Sequence, residues 1–394
     1  MSKKIILISQ TESHLTQRGK RHPNLADMLS ANGYDVEYFS SSFYHADKVQ
    51  FTNEQVHEAN KMLGYKLHII KSLSYFKNIG LRRVISNIQF SIKVYKYLKK
   101  INLDNSLIIV PSRPIEILFF LSKLKKRTNV EVLVDIRDVW PDAFNVKNKF
   151  LKNGFKFYCN LFLKNKVNSF DKFIHTCPQF LEWLYRYSPN SISQFVPLGY
   201  DSKRFDKLDY GSKDKVKSDL INFVYIGLLQ YQIEVLPFIK AIENDNRFTL
   251  TLYGDNGEGE KYNQVITYLA DNNINNVFVK GKIPQDQVGN ILCKYDIGLM
   301  PMKAKFAFPN KVFDYIAMSL PIFSMGEHDT SIFVSKNKIG WVASFRVDEI
   351  KGVLNKISNS KDNEIEKFRR KITKIKDSYS RGNLYQLFLK KIQE

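Results

Sequence analysis

Residues 308–321 read FPNKVFDYIAMSLP and place a lysine, Lys311, one helical turn before an aspartate, Asp314. The spacing of Val312, Phe313, Ile316 and Ala317 predicts a helix. It would be entered at Pro309, capped by Asn310 and stopped by Pro321. Lys311 then falls in the first turn, where the helix dipole disfavours positive charge. A helix N-terminus offers free N–H groups and a partial positive charge, and Lys311 adds to that field, so the arrangement suits a bound phosphate. Asp314 lies near whatever the phosphate carries, and a carboxylate accepts from two neighbouring ribose hydroxyls. On the other reading Lys311 is merely exposed and Asp314 caps a neighbouring loop. The residues alone leave both open.

Other polar residues that could do chemistry cluster after apolar, β-branched runs: TESHLTQRGKRH (11–22), RDVWPD (137–142), GLLQ (227–230), GDNGEGE (254–260) and MPMKAKFAFPNK (300–311). GxGxxG and GxxxxGK[ST] are absent, as are DxD, GxSxG and HExxH. Nucleotide-fingerprint, hydrolase and metal-site readings therefore have no motif to rest on.

The elements that would position these residues repeat in two halves. Strands are predicted at 4–9, 35–40, 107–112, 131–136, 173–177 and 193–198, then at 222–227, 248–254, 276–281, 296–301, 321–326 and 340–345. Helical patterns cover 23–33, 233–243, 260–272, 285–294 and 311–319. Strand and helix in alternation imply parallel sheets with crossover helices. The predicted class is α/β, with two Rossmann-like doubly wound domains facing a central cleft. The polar stretch 201–219 reads as a linker. The predicted divisions are a first domain over 1–200, a second over 201–365, and a helical tail over 366–394 that packs back on the first domain. In such folds ligands meet the carboxyl ends of the strands, where the clusters above fall.

The chain is 394 residues long, 44% hydrophobic and 13% aromatic, a globular composition. No apolar run reaches the roughly 18 residues of a membrane span. The start, MSKKIILISQ, is too quickly polar for a signal peptide. Cys159, Cys177 and Cys293 form no CxxC, so neither a disulfide framework nor a zinc site is indicated and a cytoplasmic setting is expected. The net charge of +21 falls mostly on the first half. Residues 59–103 and 143–170 contain no acid. They carry Arg82, Arg83, Lys93, Lys96, Lys152 and Lys156 among aromatic and aliphatic residues at helical spacing. That pattern suggests an anionic membrane surface. Nucleic acid and a plain solvated face compete with it.

Taken in order, several stretches resemble the GT-B glycosyltransferases of family 4, retaining enzymes that use nucleotide sugars. FPNKVFDYIAMSLPIF is similar to that family's P-x-K-x-x-E-Y-x-A-x-G-x-P segment, with Asp314 at the glutamate. FVPLGYDSKRF (195–205), FVYIGLLQ (223–230), residues 277–301, RGKRHPNLADMLSANGYDVEYFS and DIRDVWPD resemble other segments, so the likeness spans about residues 1–345. The resemblance implies a metal-independent hexosyl- or N-acetylhexosaminyl-transferase of bacterial lipopolysaccharide or capsule synthesis. It implies no cofactor, and a UDP- or GDP-sugar donor bound by the nucleotide-sugar-binding domain 201–365, with 1–200 as the acceptor-binding domain. The acceptor would be a glycan or lipid-linked molecule, met at the inner face of the plasma membrane, with no role for nucleic acid. Donor contacts would come from Gly227, Gln230, Lys305, Pro309, Asn310, Lys311 and Asp314. Arg18, Gly19, Arg137 and Asp138 would lie on the sugar and acceptor side, and Asp138 and Lys311 would act in catalysis. Where relatives carry an Arg and a Lys after the first strand of the second domain, this chain has Gln230, Tyr231 and Gln232. Lys303, Lys305 or Arg18 would have to supply the missing clamp. The other readings are a nucleotide-sugar 2-epimerase of the same fold and a basic nucleic-acid binder.

Overall fold

The computed structural model of the protein describes residues 3–17, 19–76, 80–143, 148–205, 220–230, 232–254, 259–306 and 308–394. The chain divides into two compact units, Met1–Val196 with Tyr385–Glu394, and Pro197–Leu384. Of the linker stretch, 206–219 lies outside the described residues.

In the first unit the elements run β1 (Lys4–Ile8), α1 (Arg21–Ala31), β2 (Asp35–Ser41), a small antiparallel ribbon β3 (Phe43–Tyr44) and β4 (Val49–Gln50), α2 (Asn53–Met62), β5 (Lys66–Ile70) and α3 (Leu81–Leu98). They continue with β6 (Ser106–Pro111), α4 (Ile115–Lys125), β7 (Glu131–Ile136), α5 (Lys149–Leu163), β8 (Lys172–His175), α6 (Phe180–Tyr187) and β9 (Ser193–Phe195). Seven strands form one sheet in the order β5-β2-β1-β6-β7-β8-β9. Each pairing in it is parallel. Strands such as KIILI and EVLVDI are near-continuous apolar runs because helices cover both faces. Ile5, Ile6, Leu7, Leu107, Ile108, Ile109, Val132, Leu133 and Val134 have no exposed surface. β5 is a strand without an expected counterpart: it has Lys66 and His68 among its apolar residues and lies at the sheet edge.

The second unit repeats the scheme with β10 (Ile221–Ile226), α7 (Leu236–Ile242), β11 (Phe248–Tyr253), α8 (Glu260–Asp271), β12 (Val277–Lys280), α9 (Val288–Leu292), β13 (Ile297–Pro301), α10 (Asn310–Ala317), β14 (Ile322–Met325), α11 (Asp329–Asn337), β15 (Gly340–Ala343), α12 (Val347–Asn359) and α13 (Lys361–Ile375). A last helix, α14, spans Arg381–Gln393. Six parallel strands lie in the order β12-β11-β10-β13-β14-β15. The helix expected over 285–294 is instead a short 3-10 turn, Gln285–Gln287, followed by α9.

Two details place α10. Its N-cap is Pro309, with no side-chain cap, so Asn310 is the first helical residue and not the capping one. Pro309 is in extended conformation, its usual one, and enters the helix without a hydroxyl or amide cap. Tyr315, on the inner face, lies flat against Gly298 of β13. Its hydroxyl is 3.3 Å from the carbonyls of both Val224 and Leu299. A Cβ at Gly298 would lie 2.6 Å from the Tyr315 ring. This glycine therefore sets how closely α10 approaches the sheet.

Gly298→Ala is expected to destabilise the second unit by about 1–3 kcal/mol, the cost of overpacking a filled core. Gly281→Ala, whose Cβ would meet nothing within 4 Å, should stay within about 0.5 kcal/mol of the parent. Urea midpoints of the two variants compare them directly.

Candidate active site

In the second unit the ends of β10 and β11 meet the start of α10. Gly227, φ +142°, follows β10 and donates its N–H to the Tyr253 carbonyl at 2.8 Å. Gly254, φ +113°, packs on it so closely that a Cβ would lie 3.0 Å from the Gly227 backbone. The Lys311 side chain lies in the space over Gly227 that a Cβ would fill. Its Nζ donates to the Tyr225 hydroxyl at 2.8 Å and stands 4.0 Å from the centroid of that ring. No carboxylate among the described residues pairs with it. Burial pushes the Lys311 ammonium down to about 7, with Asp314 opposing. A half-buried cation sits beside bare backbone at a helix N-terminus, an arrangement suited to an anion.

Asp314 is half-buried too. Burial raises its carboxyl, against Arg204, Arg381 and Lys311. Arg204 approaches to 3.7 Å, beyond hydrogen-bond reach. That guanidinium is already directed to the Gln285 carbonyl, at 2.8 and 3.2 Å. Asp314 therefore keeps acceptor capacity. Arg204 lies in the stretch FVPLGYDSKRF, but nothing in the sequence ties it to Asp314.

The remaining donor-side residues differ in position. Pro309 enters α10, Asn310 is exposed, and Gln230 is exposed on the loop after β10. Lys305 is exposed, its Nζ 5.4 Å from the Phe306 ring centroid. Lys303 is not a free clamp: it pairs with buried Glu234, which also takes Lys261 at 3.0 Å. Tyr231 and Arg18 lie outside the described residues.

The first unit gathers a buried charge network at the ends of β1 and β7. Asp135, fully buried, accepts from Arg21 Nε at 2.9 Å and lies 3.0 Å from His22 Nε2. Burial alone would raise its carboxyl, but Arg21, then His22, hold it well below the usual range. Glu12, in the loop after β1, accepts from Arg137 Nη2 at 2.5 Å and from the His22 N–H at 3.3 Å. Gly19, φ +71°, lies over it, where a Cβ would meet Glu12 Cγ at 2.8 Å. Arg137 is thus committed to Glu12, and Asp138 to Arg113 at 2.5 Å.

Residues 222–357 match the family model described as "Glycosyl transferases group 1". The match falls within the second unit. No curated protein is detectably similar to the chain in sequence. Solved structures are similar over its whole length. The sucrose-phosphate synthase of Thermosynechococcus elongatus has a TM-score of 0.69 at 13% identity, covering 99% of this chain and 98% of its own. Anabaena HepE in complex with UDP-glucose has a TM-score of 0.67 at 11% identity, covering 99% of each chain. WaaG, a glycosyltransferase involved in lipopolysaccharide biosynthesis, has a TM-score of 0.64 at 12% identity, covering 97% of each. At these identities the likeness establishes the fold, two Rossmann-like domains of the GT-B kind.

Within this glycosyltransferase, sequence reasoning singled out the stretches holding Glu12, Arg21 and His22 but not the ion pairs they form. The one available signal was an acid and two bases in TESHLTQRGKRH with an aspartate, Asp135, ending a strand of otherwise apolar residues. An aspartate at the buried end of such a strand needs a cation.

Asp135→Asn leaves Arg21 buried without its counter-charge and should cost about 3–5 kcal/mol. Because the native carboxyl sits below its unfolded value of about 3.9, its contribution is complete above about pH 5 and is lost only gradually as the pH falls towards the much lower native value. The gap in thermal stability between parent and variant should therefore hold from pH 7 to pH 5 and narrow, without closing, by pH 3.

Proposed function

We propose that this glycosyltransferase moves a hexosyl or N-acetylhexosaminyl group from a UDP- or GDP-sugar to a lipid-linked or glycan acceptor, with retention and without a metal, in bacterial surface polysaccharide synthesis. The observation that carries the reading is the Lys311 ammonium, without a carboxylate partner among the described residues and held over Gly227 at the N-terminus of α10. A departing nucleoside diphosphate gathers negative charge, and preorganised positive charge in a dry site stabilises it. Lys311 and the first N–H groups of α10 supply that charge. Asp314, one turn on, accepts from the ribose hydroxyls. Gly227 leaves room for the Lys311 side chain to lie against the backbone at this strand end. UDP and UDP-glucose complexes of HepE, on the same fold, favour a UDP-sugar.

The first unit takes the acceptor in this reading, with Gly19, Arg137 and Asp138 on its side. Gly19 and Arg137 act through Glu12, as positioning groups. The enzyme works at the cytoplasmic face of the plasma membrane, held there by charge and by apolar side chains. Arg82, Lys96, Lys152 and Lys156 are exposed for this role, and Lys93 is half-exposed with its amine on the Lys71 carbonyl. Arg83 does not belong to that face: it is buried, its guanidinium 5.6 Å from the Trp140 ring centroid. No helix among the described residues is long and apolar enough to cross a membrane.

Asp314→Ala should abolish most UDP binding, and Lys311→Ala should lower turnover by about 100-fold, the scale of removing one charge-stabilising donor. Near pH 8 Lys311 is largely neutral in the free protein, so an arriving diphosphate should draw a proton onto it. Calorimetry of UDP binding in two buffers of different ionisation enthalpy should read proton uptake, absent in Lys311→Gln. Equal binding and turnover in both alanine variants would remove the assignment. Conversion of nucleotide sugar without any acceptor would instead indicate epimerisation.

Sedimentation with vesicles tests the membrane reading. Binding should require anionic lipid, weaken steeply between 50 and about 500 mM salt as screening sets in, and fall when Lys152 and Lys156 are both changed to Glu.

A further inference from the structure

Three loops at the carboxyl edge of the second unit's sheet are fastened by one buried acid. Glu234 lies in the loop after β10, Lys261 in the first turn of α8, and Lys303 two residues beyond β13. β11, β10 and β13 are neighbours in the sheet, so these loops leave it side by side. The backbone ties the loop after β10 to the end of β13. The Glu234 N–H donates to the Pro301 carbonyl and the Lys303 N–H to the Gln232 carbonyl, each at 2.8 Å, and Ile233 forms an antiparallel bridge with Met302. Further hydrogen bonds lead from here to the Lys311 site. The Ile233 N–H donates to the Gln230 carbonyl at 2.8 Å, and the Gln230 N–H to the Leu228 carbonyl at 3.0 Å. That carbonyl also accepts from the Tyr225 hydroxyl on which Lys311 rests.

Both lysines donate to the same oxygen of Glu234, Oε2, Lys261 from 3.0 Å. Burial would raise the Glu234 carboxyl, but Lys303 and Lys261 hold it below its usual range, so it is charged near pH 7. One carboxylate cannot fully offset two ammonium groups, and like charges that meet at one atom repel each other.

The two contacts are not equally fixed. The Lys261 side chain is 21% exposed and the Lys303 side chain 51%. Taking away the partner of a buried charge is costly when nothing else pairs with it. Here Lys261 would remain, so Lys303 can leave without stranding Glu234. A lysine has a flexible stem and rotatable donors, and can turn from one acceptor to another. A phosphate oxygen is an acceptor that rewards such a turn, since hydrogen bonds between charged partners are the strong ones.

We propose that Lys303 is a held phosphate clamp: Glu234 keeps it at rest in the free protein, and an arriving nucleoside diphosphate draws it onto its own oxygens while Lys261 goes on neutralising Glu234. This rests on the donor reading above and gives the diphosphate a second side-chain cation beside Lys311. Glu234 is then a positioning residue, acting through Lys303 without touching the ligand. It also acts on selectivity, because a ligand with a single phosphate brings less charge to compete for Lys303.

The test is calorimetric titration of UDP into the full chain and its variants, each shown to be folded by circular dichroism. Lys303→Met, at a half-exposed position, should weaken UDP by about tenfold, the worth of one charged contact to phosphate. Glu234→Gln should tighten UDP by about two- to fivefold, the worth of an ion pair that no longer has to be broken. That gain should vanish when Lys303→Met is added to it. Lys261→Met makes Lys303 the only counter-charge of Glu234 among the described residues, so it too should weaken UDP. A Glu234 that merely fastened the loops would give the opposite sign, with weaker UDP binding in Glu234→Gln. That result in folded protein, or Lys303→Met binding UDP as tightly as the parent, would overturn the clamp. Should Glu234→Gln not fold, the two lysine variants decide. If UDP does not bind the parent, the donor reading and the clamp fall together. If UDP binds and is lost in Asp314→Ala but not weakened in Lys303→Met, the clamp alone falls.

Discussion

A parallel strand cannot turn straight back into its neighbour. It must return over the face of the sheet, usually through a helix. Every strand in both large sheets here is subject to that rule. Every loop that follows a strand therefore leaves at the same edge of its sheet. Glu12, Arg113 and Asp138 reach one such edge in the first unit, and Gly227, Gly254 and the start of α10 reach one in the second. Residues more than a hundred positions apart become neighbours by this route alone. The chemistry of the chain is confined to these edges before any side chain is chosen.

The two edges handle charge in opposite ways. In the first unit the deepest charges are neutralised: Asp135 by Arg21 and His22, Glu12 by Arg137. Such pairs give rigidity and orientation, and they leave nothing over for a ligand. In the second unit Lys311 is held against a ring and a glycine and forms no ion pair among the described residues, with Asp314 acting on it only from a distance. A cation left in that condition shifts towards its neutral form, as Lys311 does. Glu234 shows the contrast nearby, since it occupies Lys261 and Lys303 and keeps them from acting elsewhere.

How much of this was legible in the sequence depended on distance along the chain. Strands such as KIILI and EVLVDI were legible because burial on both faces requires an unbroken apolar run. The strand over Lys66–Ile70 was not, because an edge strand with Lys66 and His68 has no such signature. The helix at 310–317 was legible from its period, but Pro309 took the cap that Asn310 was expected to provide. Lys311 and Asp314 could be singled out as a pair within one turn. Arg204 beside Asp314, and Lys303 on Glu234, could not, since each joins loops that only the sheet brings together. Arg83 looked like one more surface cation in a run without acids. Its burial between Tyr75 and Trp140 depends on residues from two other loops.

The residues Tyr385–Glu394 belong to the first unit although they follow the whole of the second in the chain. Phe388 lies 5.0 Å from the Arg21 guanidinium, and the Tyr385 hydroxyl donates to the Arg21 carbonyl at 3.1 Å. The ion pair that closes the first unit is thus roofed by the segment made after nearly everything else. During synthesis Arg21 would lack the Phe388 ring and the Tyr385 hydroxyl until the second unit had been made. The first unit is thus completed by residues that follow the second in the chain.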